Sequence, residues 1–416
     1  MKSSILKARS FVFLWVAQII SQIAFNMLNF VLLLRVYQLT EKNSAVSLLV
    51  LAFMLPQLVL SLFAGVVVDR FDKKLVMVFT NIARALCLLP LIFIHQNPLV
   101  IYIFAFAIST ATQFFVPAEA SMIPKLVRRG LLLSGNSIFI GTLYGSIIVG
   151  YILAGPALKF LGSTTTLTLI ALFFLLSAVF NLLLPGSNGG EYLNSQIKRI
   201  FSTTYNRIFT IIFNDIGEML YAIIRSRHLL PAIIFMTISQ AVIVALGAML
   251  PGYAVTILGI DVEDSSLILL APAAFGMVLG SFFVAQIGIR IKRSRLVVPG
   301  VILSGASLLL LSFFSRLNST NVSAPYLVVV TCFLLGIFNA FIIVPANTVI
   351  GERSAESIRG RIYGMFNTSS ALLSILLVAV VGYFSDIFGI GRVLSVLGGA
   401  IIFLGFLPLL RGKEDI

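Results

Sequence analysis

Long apolar runs, broken by short polar turns, repeat from one end of the chain to the other. Runs of about 20 apolar residues match the length a helix needs to cross a bilayer. They predict twelve spans at 10–35, 44–68, 75–95, 98–120, 131–159, 164–185, 229–257, 265–288, 296–316, 324–348, 361–385 and 391–410. The runs are continuous rather than alternating, which excludes a membrane β-barrel. One interval breaks the rhythm. Residues 186–228 open with Gly186-Ser187-Asn188-Gly189-Gly190, after which Ile197, Ile200, Phe201, Ile208, Ile212 and Ile216 recur near helical spacing. Lys198, Arg199, Arg207, Arg225 and Arg227 fill much of the remainder. That pattern predicts an amphipathic helix lying on the membrane surface, although a calmodulin-type target helix shares the periodicity.

Composition agrees: hydrophobic residues are 59% of the chain, charged residues 11%, and the mean hydropathy is +1.08. The 416 residues are consumed by the spans and their turns, leaving no room for a soluble catalytic domain. The net charge of +14 invites a nucleic-acid reading until the charges are placed. With the N-terminus inside, 23 of the 29 Lys and Arg fall in turns on that one side. The rule that positive loops stay inside then puts both termini in the cytoplasm. The basic balance therefore reports topology and affinity for anionic lipid, not a nucleic-acid partner. Cys87 and Cys332 lie singly in different spans, and His95 and His228 are isolated at span ends, so no disulfide, metal or cofactor site follows. Phosphate-cradling Gly loops and Ser/His/Asp arrangements are absent, and no enzyme activity is expected.

Polar residues inside the spans carry the chemistry. Gln18, Gln22, Asn26 and Asn29 of the first span fall within an arc of about 80°. Amides facing lipid are costly, so this stripe must meet protein or water. Arg84 stands about 13 Å along the third span, where an unpartnered Arg costs roughly 2.5–3.5 kcal/mol or more. Asp69 or Glu119 is its expected partner. A structural or gating pair and direct binding of an anionic substrate are both open readings. For Glu119 the alternatives are a cytoplasmic-rim ion pair and a proton-coupling site. Asp386 is expected near the outer rim, in solvent. In the fifth span Ser137, Gly141, Gly145 and Gly155 share a face that suits close helix packing, and Gly150 lies off it.

The turn Gly65-Val66-Val67-Val68-Asp69-Arg70-Phe71-Asp72-Lys73-Lys74 joins the second and third spans. It resembles the G-x-x-x-D-R-x-x-R-K signature of major facilitator superfamily transporters. An ordinary basic loop would carry similar charge. Phe71-Asp72 replaces the usual Gly and is similar to the branch holding macrolide-efflux proteins and the enterobactin exporter. Phe115-Val116-Pro117-Ala118 and Arg359-Gly360-Arg361 resemble that branch's corresponding links, and Gly155-Pro156 resembles the antiporter motif of drug exporters. Val116-Pro117-Ala118 recurs as Val344-Pro345-Ala346, and the same offset carries the first turn onto the basic loop 289–295. Two related six-helix halves would produce this.

The resemblance implies an all-α major facilitator fold of twelve helices, with bundles at 1–185 and 229–416 and a cytoplasmic linker at 186–228. It implies that Gln18, Gln22, Asn26, Asn29, Gln113, Gln240 and Asn339 line a central cavity. Gly65, Asp69, Arg70, Lys73, Lys74, Arg84, Arg359, Gly360 and Arg361 would form the gating set, with Glu119 and Asp69 as candidate proton-coupling groups. The expected function is export of a small amphipathic compound, drug-, macrolide- or siderophore-like, by alternating access coupled to protons. A lysophospholipid flippase, or a non-transporting scaffold or receptor, are the alternatives. The expected setting is a monomer in a bacterial plasma membrane, with the small-molecule substrate and the bilayer as its partners.

Overall fold

The structure is a computed structural model that describes residues 8–94, 96–127, 131–185, 229–287, 294–315, 324–353 and 356–410. Its helices are α1 (Arg9–Thr40), α2 (Asn43–Arg70), α3 (Lys73–Phe93), α4 (Pro98–Leu126), α5 (132–161), α6 (163–182), α7 (Leu229–Tyr253), α8 (Ala271–Ile287), α9 (Ser294–Phe314), α10 (Ala324–Arg353), α11 (Glu356–Phe388) and α12 (Ile390–Leu410). In hydrocarbon every backbone N–H and C=O must be satisfied within its own segment, and a helix does so locally. The expected surface helix at 186–228 lies outside the described residues.

Local chemistry sets where the helices begin and end. Asp72 caps α3 by accepting from Lys74 N at 2.8 Å and Leu75 N at 3.4 Å. Asn97 caps α4 through Leu99 N at 2.9 Å, with Pro98 at the first helical position. Helix α1 ends on Glu41, which takes a left-handed conformation (φ 53°) while its N–H bonds Tyr37 O at 2.7 Å. Between α5 and α6 the helical run is interrupted only at Gly162, with φ 74° and ψ 170°. That combination excludes a side chain and divides the two predicted spans. Past Tyr253, α7 widens into a π turn over Ala254–Leu258, and a second π turn, Ser266–Leu270, leads into α8.

The chain separates into two compact units. The first holds Met1–Glu41 and Leu48–Ile200, the second Lys42–Ser47 and Phe201–Ile416. In the first, α1 packs along the α5–α6 run, and α3 packs on α4 and on the same run, where Asn81 meets Ser177 of α6. Its apolar core gathers Phe11, Leu14, Met77, Phe115, Met122 and Phe139. In the second, α10 packs on α8 and α9, α9 on α12, and α7 on α11. A matching core joins the start of α7 to the end of α10 and the start of α11 through Leu229, Ile233, Met236, Ile350 and Ile362.

The face expected to pack in α5 stands open at two of its positions, although Gly155 on it is buried. A Cβ added at Gly141 or Gly145 would meet nothing within 4 Å, whereas one at Gly150 would strike Asn26 Cβ, Ile23 O and Met27 N of α1. Gly150, off the predicted face, is the close approach. A helical wheel groups residues by face without saying which face has the neighbour.

Candidate functional site

Polar chemistry in the first unit converges on Arg84. Its side chain is 1% exposed, although α3 is apolar on either side of it. Nη1 donates to Ser21 Oγ of α1 and to Asn81 Oδ1 one turn back, both at 3.0 Å. Asn81 Oδ1 also accepts from Ser21 Oγ at 3.4 Å, and its Nδ2 donates to Ser177 Oγ of α6 at 3.0 Å. Ser177 Oγ in turn donates to the Ala17 carbonyl at 2.8 Å. The network therefore ties α3, α1 and α6 together around one cation.

The guanidinium is boxed by rings. Its central carbon lies 4.4 Å from the Phe115 centroid, 5.5 Å from Phe174 and 6.0 Å from Phe25. Desolvated cation–π contacts of this kind are worth up to about 2 kcal/mol. They partly offset a deficit, since Arg84 Nε and Nη2 have no protein hydrogen-bond partner. Glu119, 6% exposed on α4, is the charge that acts on Arg84 through space. No hydrogen bond joins the two, and Glu119 Oε1 is itself without a protein partner. Asn181, one turn beyond Ser177 and fully buried, has neither amide atom paired by protein.

Of the two partners expected for Arg84, Glu119 is thus present electrostatically, while the direct hydrogen bonds come from Ser21 and Asn81. Neither was anticipated: Ser21 comes from another helix, whereas Asn81 lies three positions before Arg84 on α3, a spacing that could have found it. Such a coupled but unbonded pair can hold a proton on its carboxylate, or admit an anion to the free edge of the guanidinium. Either event changes the charge balance of a desolvated interior, where electrostatic effects are large.

The amides expected to line a cavity divide into two groups. Gln18 is committed within the first unit: Nε2 donates to Phe139 O at 3.2 Å and Oε1 accepts from Thr142 Oγ1 at 3.1 Å, both on α5. Asn26 is buried against Gly150 and bonds Gln22 O of its own helix at 2.7 Å. Asn339 of α10 donates to Ser239 Oγ of α7 at 2.7 Å, within the second unit. The other four are half-buried and largely uncommitted. Asn29 donates to Phe25 O at 2.8 Å and Gln113 to Ser109 O at 3.3 Å, each inside its own helix. Gln22 and Gln240 keep their side-chain amides free of protein partners.

In the gating set, Gly65 is half-buried near the end of α2, Lys73 is buried at the start of α3, and Lys74 is half-buried beside it. The side chains of Asp69, Arg70, Arg359 and Arg361 lie outside the described residues, as does any contact of Gly360 beyond its place in α11. Asp72, read first as a departure from a family signature, is the cap of α3. An Asp directly before an apolar helix that opens with two Lys is itself a start signal. Asp386, expected to be merely solvated, accepts hydrogen bonds from Asn43 and Ser44.

Among the described residues, ten helical stretches are long and apolar enough to cross a membrane; one of them, Ser137–Leu182, contains both α5 and α6. Fold and site together define a multi-pass helical membrane transporter. The sequence model of the Major Facilitator Superfamily matches residues 14–370 and, in an overlapping second match, 229–415, and the chain belongs to that superfamily. It is 22% identical over 395 residues to the uncharacterized MFS-type transporter YfiS of Bacillus subtilis (strain 168), covering 92% of this chain and 88% of that one. It is 22% identical over 353 residues to the lysophospholipid transporter LplT of Serratia proteamaculans (strain 568), covering 85% and 82%. The crystal structure of the nucleoside transporter NupG superposes with a TM-score of 0.74 at 13% identity, over 97% of this chain and 99% of that one. A POT family transporter superposes with a TM-score of 0.71 at 12% identity, over 97% and 96%.

Proposed function

We propose that this protein moves a small amphipathic compound across the bacterial plasma membrane by alternating access, and that a single-chain phospholipid is the substrate class. The observation that carries the reading is the separation of polar groups in α1 and α4. Gln22, Asn29 and Gln113 remain half-buried and uncharged with hydrogen-bonding capacity to spare, while the charges Arg84 and Glu119 are sealed inside the bundle. Uncharged amides on otherwise apolar helices suit a ligand with one polar end and one apolar end. The LplT relatives favour a lysophospholipid over a drug or siderophore. Efflux branch membership rests on short motif resemblances, the Phe71-Asp72 turn first among them, and carries less weight. Coupling to protons is supported by Glu119, a buried carboxylate with one oxygen left without a protein partner.

Reconstitution into vesicles tests this. A headgroup-labelled lysophospholipid should cross the bilayer at a rate proportional to protein content, with proton movement recorded by an internal pH dye. The double change Gln22→Leu/Asn29→Leu should slow it at least tenfold at unchanged protein level. If a macrolide or siderophore-like compound moves and the lysophospholipid does not, the substrate class is wrong. If no compound moves, the scaffold or receptor alternative replaces transport.

A further inference from the structure

Helices α7 and α11 start side by side, in the core that joins Leu229 and Ile233 to Ile362. Both belong to the second unit, and α11 packs on α7 more than on any other helix. Their buried faces carry short side chains at a four-residue spacing, which keeps them on one side of each helix. Thr237, Ala241 and Ala245 form that face on α7, and Ser370, Ser374 and Val378 form it on α11. Small residues let two helices approach closely in a bilayer, but three of these six carry hydroxyls. Thr237 Oγ1, Ser370 Oγ and Ser374 Oγ have no protein hydrogen-bond partner, although their residues are only 9%, 5% and 1% exposed.

A hydroxyl in a helix ordinarily returns to the carbonyl four residues back. Thr331 does so to Leu327 O and Thr256 to Gly252 O, both at 2.7 Å, and Thr368 of α11 itself bonds Gly364 O at 3.1 Å. The three seam hydroxyls do not. A buried hydroxyl without a partner is costly, and three on one seam call for a shared one.

The first unit shows how protein can meet this need. Thr142 of α5 stands 228 positions before Ser370, the offset that carries Val116-Pro117-Ala118 onto Val344-Pro345-Ala346. There Gln18 of α1 reaches across, accepting from Thr142 Oγ1 at 3.1 Å and donating to Phe139 O at 3.2 Å. Gln18 lies nine residues into α1, and Thr237 lies eight into α7. A hydroxyl on Cβ is too short to do what an amide two carbons further out does.

We infer that water is bound in the seam between α7 and α11, held by Thr237, Ser370 and Ser374, where the first unit uses the Gln18 side chain. A buried water makes about three hydrogen bonds, and each hydroxyl can both donate and accept. A cation fits less well. Taking it out of water needs a compensating charge, and the second unit buries no charged side chain among the described residues. The site lies wholly inside one unit and is independent of which compound the protein carries.

Radiolytic labelling tests the site on the purified full-length protein. A brief X-ray pulse makes hydroxyl radicals wherever water sits, and they oxidise a neighbouring methionine. Met236, next to Thr237 and 3% exposed, should be oxidised at least fivefold more than Met249, 2% exposed and about 18 Å further along α7. Thr237→Val/Ser370→Ala/Ser374→Ala should bring Met236 down to the Met249 level. The single change Thr237→Val, which keeps the side-chain shape, should at least halve it and serves if the triple variant does not fold. Equal oxidation of Met236 and Met249 in the parent, or oxidation of Met236 unchanged by Thr237→Val, overturns the proposal. So does an unfolding temperature raised by sodium but not by potassium in the parent and by neither in Thr237→Val, since that would put a cation in the seam.

Discussion

The two units solve the same packing problem with different materials. Among the described residues, the buried charges Lys73, Arg84 and Glu119 all lie in the first unit. There α1, α3 and α6 are joined by side-chain hydrogen bonds around Arg84. The second unit buries only hydroxyls and the amides of Asn43 and Asn339 among its described polar side chains, and its helices meet backbone to backbone. A Cβ at Gly276 of α8 would strike the Phe333 carbonyl of α10, and one at Gly336 of α10 would strike the Ala273 carbonyl of α8. Likewise Gly305 of α9 lies against the Gly398 carbonyl of α12. Lipid tails are as apolar as Leu, so helices associate in a bilayer either by close approach at small residues or by polar ties. One unit uses chiefly the second route and the other chiefly the first. The difference teaches where charge movement can occur, since among the described residues the glycine-zipped bundle buries no charged side chain.

The largest expected effect removes the cation. Arg84→Met leaves Glu119 buried without its opposite charge, a change that costs about 3–5 kcal/mol when a buried pair is broken. Thermal unfolding in detergent should fall steeply, and flux should drop at least tenfold. Adding Glu119→Gln removes the orphaned carboxylate, so the double variant should regain most of the stability but not the flux. Stability equal to the parent in Arg84→Met alone would show that the first unit does not depend on its charge pair, and the contrast between units would collapse.

Next in size is the glycine zipper. Gly276→Ala or Gly336→Ala should cost about 1–3 kcal/mol through overpacking, despite Ala being the better helix former by roughly 1 kcal/mol. The same change at Gly141 or Gly145 of α5 meets open space and should be neutral or stabilising. Unfolding temperatures of the four variants check this as a pair of opposite signs. Equal responses in α8 and α5 would mean that close approach is not what distinguishes the second unit.

Much of this was legible in the sequence, for reasons that also mark the limit. Hydropathy alone locates the helices, because a span needs a fixed length of apolar residues. It also places the break between the fifth and sixth spans within a few residues of Gly162. The need of Arg84 for company follows from its depth. Most of its company does not, because Ser21 and Ser177 come from α1 and α6, although Asn81 stands one turn away on α3 itself. The stripe on α1 shows the same limit. Periodicity grouped four amides on one arc, yet Gln18 and Asn26 turn into contact with α5 while Gln22 and Asn29 keep capacity to spare. Asp386 was illegible altogether, since nothing near it in sequence announces a helix start more than three hundred residues earlier.

The smallest expected effect compares one amide tie from each unit. Gln18 uses both ends of its amide, linking α1 to Phe139 and Thr142 of α5. Asn339 makes one bond, to Ser239 of α7, and leaves its own Oδ1 buried without a protein partner. Interhelical hydrogen bonds in membranes average about 0.6 kcal/mol, so Gln18→Leu should cost roughly 1 kcal/mol. Asn339→Leu loses one such bond but also removes an unsatisfied buried acceptor, a group that is itself costly, so its net effect should lie near zero. Both variants keep apolar volume in a span, and insertion should be unaffected. Equilibrium unfolding resolves a difference of this size when the two are measured in parallel. Should Asn339→Leu prove the more damaging, polar ties would matter more in the second unit than its glycines suggest, and the division of labour between the two units would have to be redrawn.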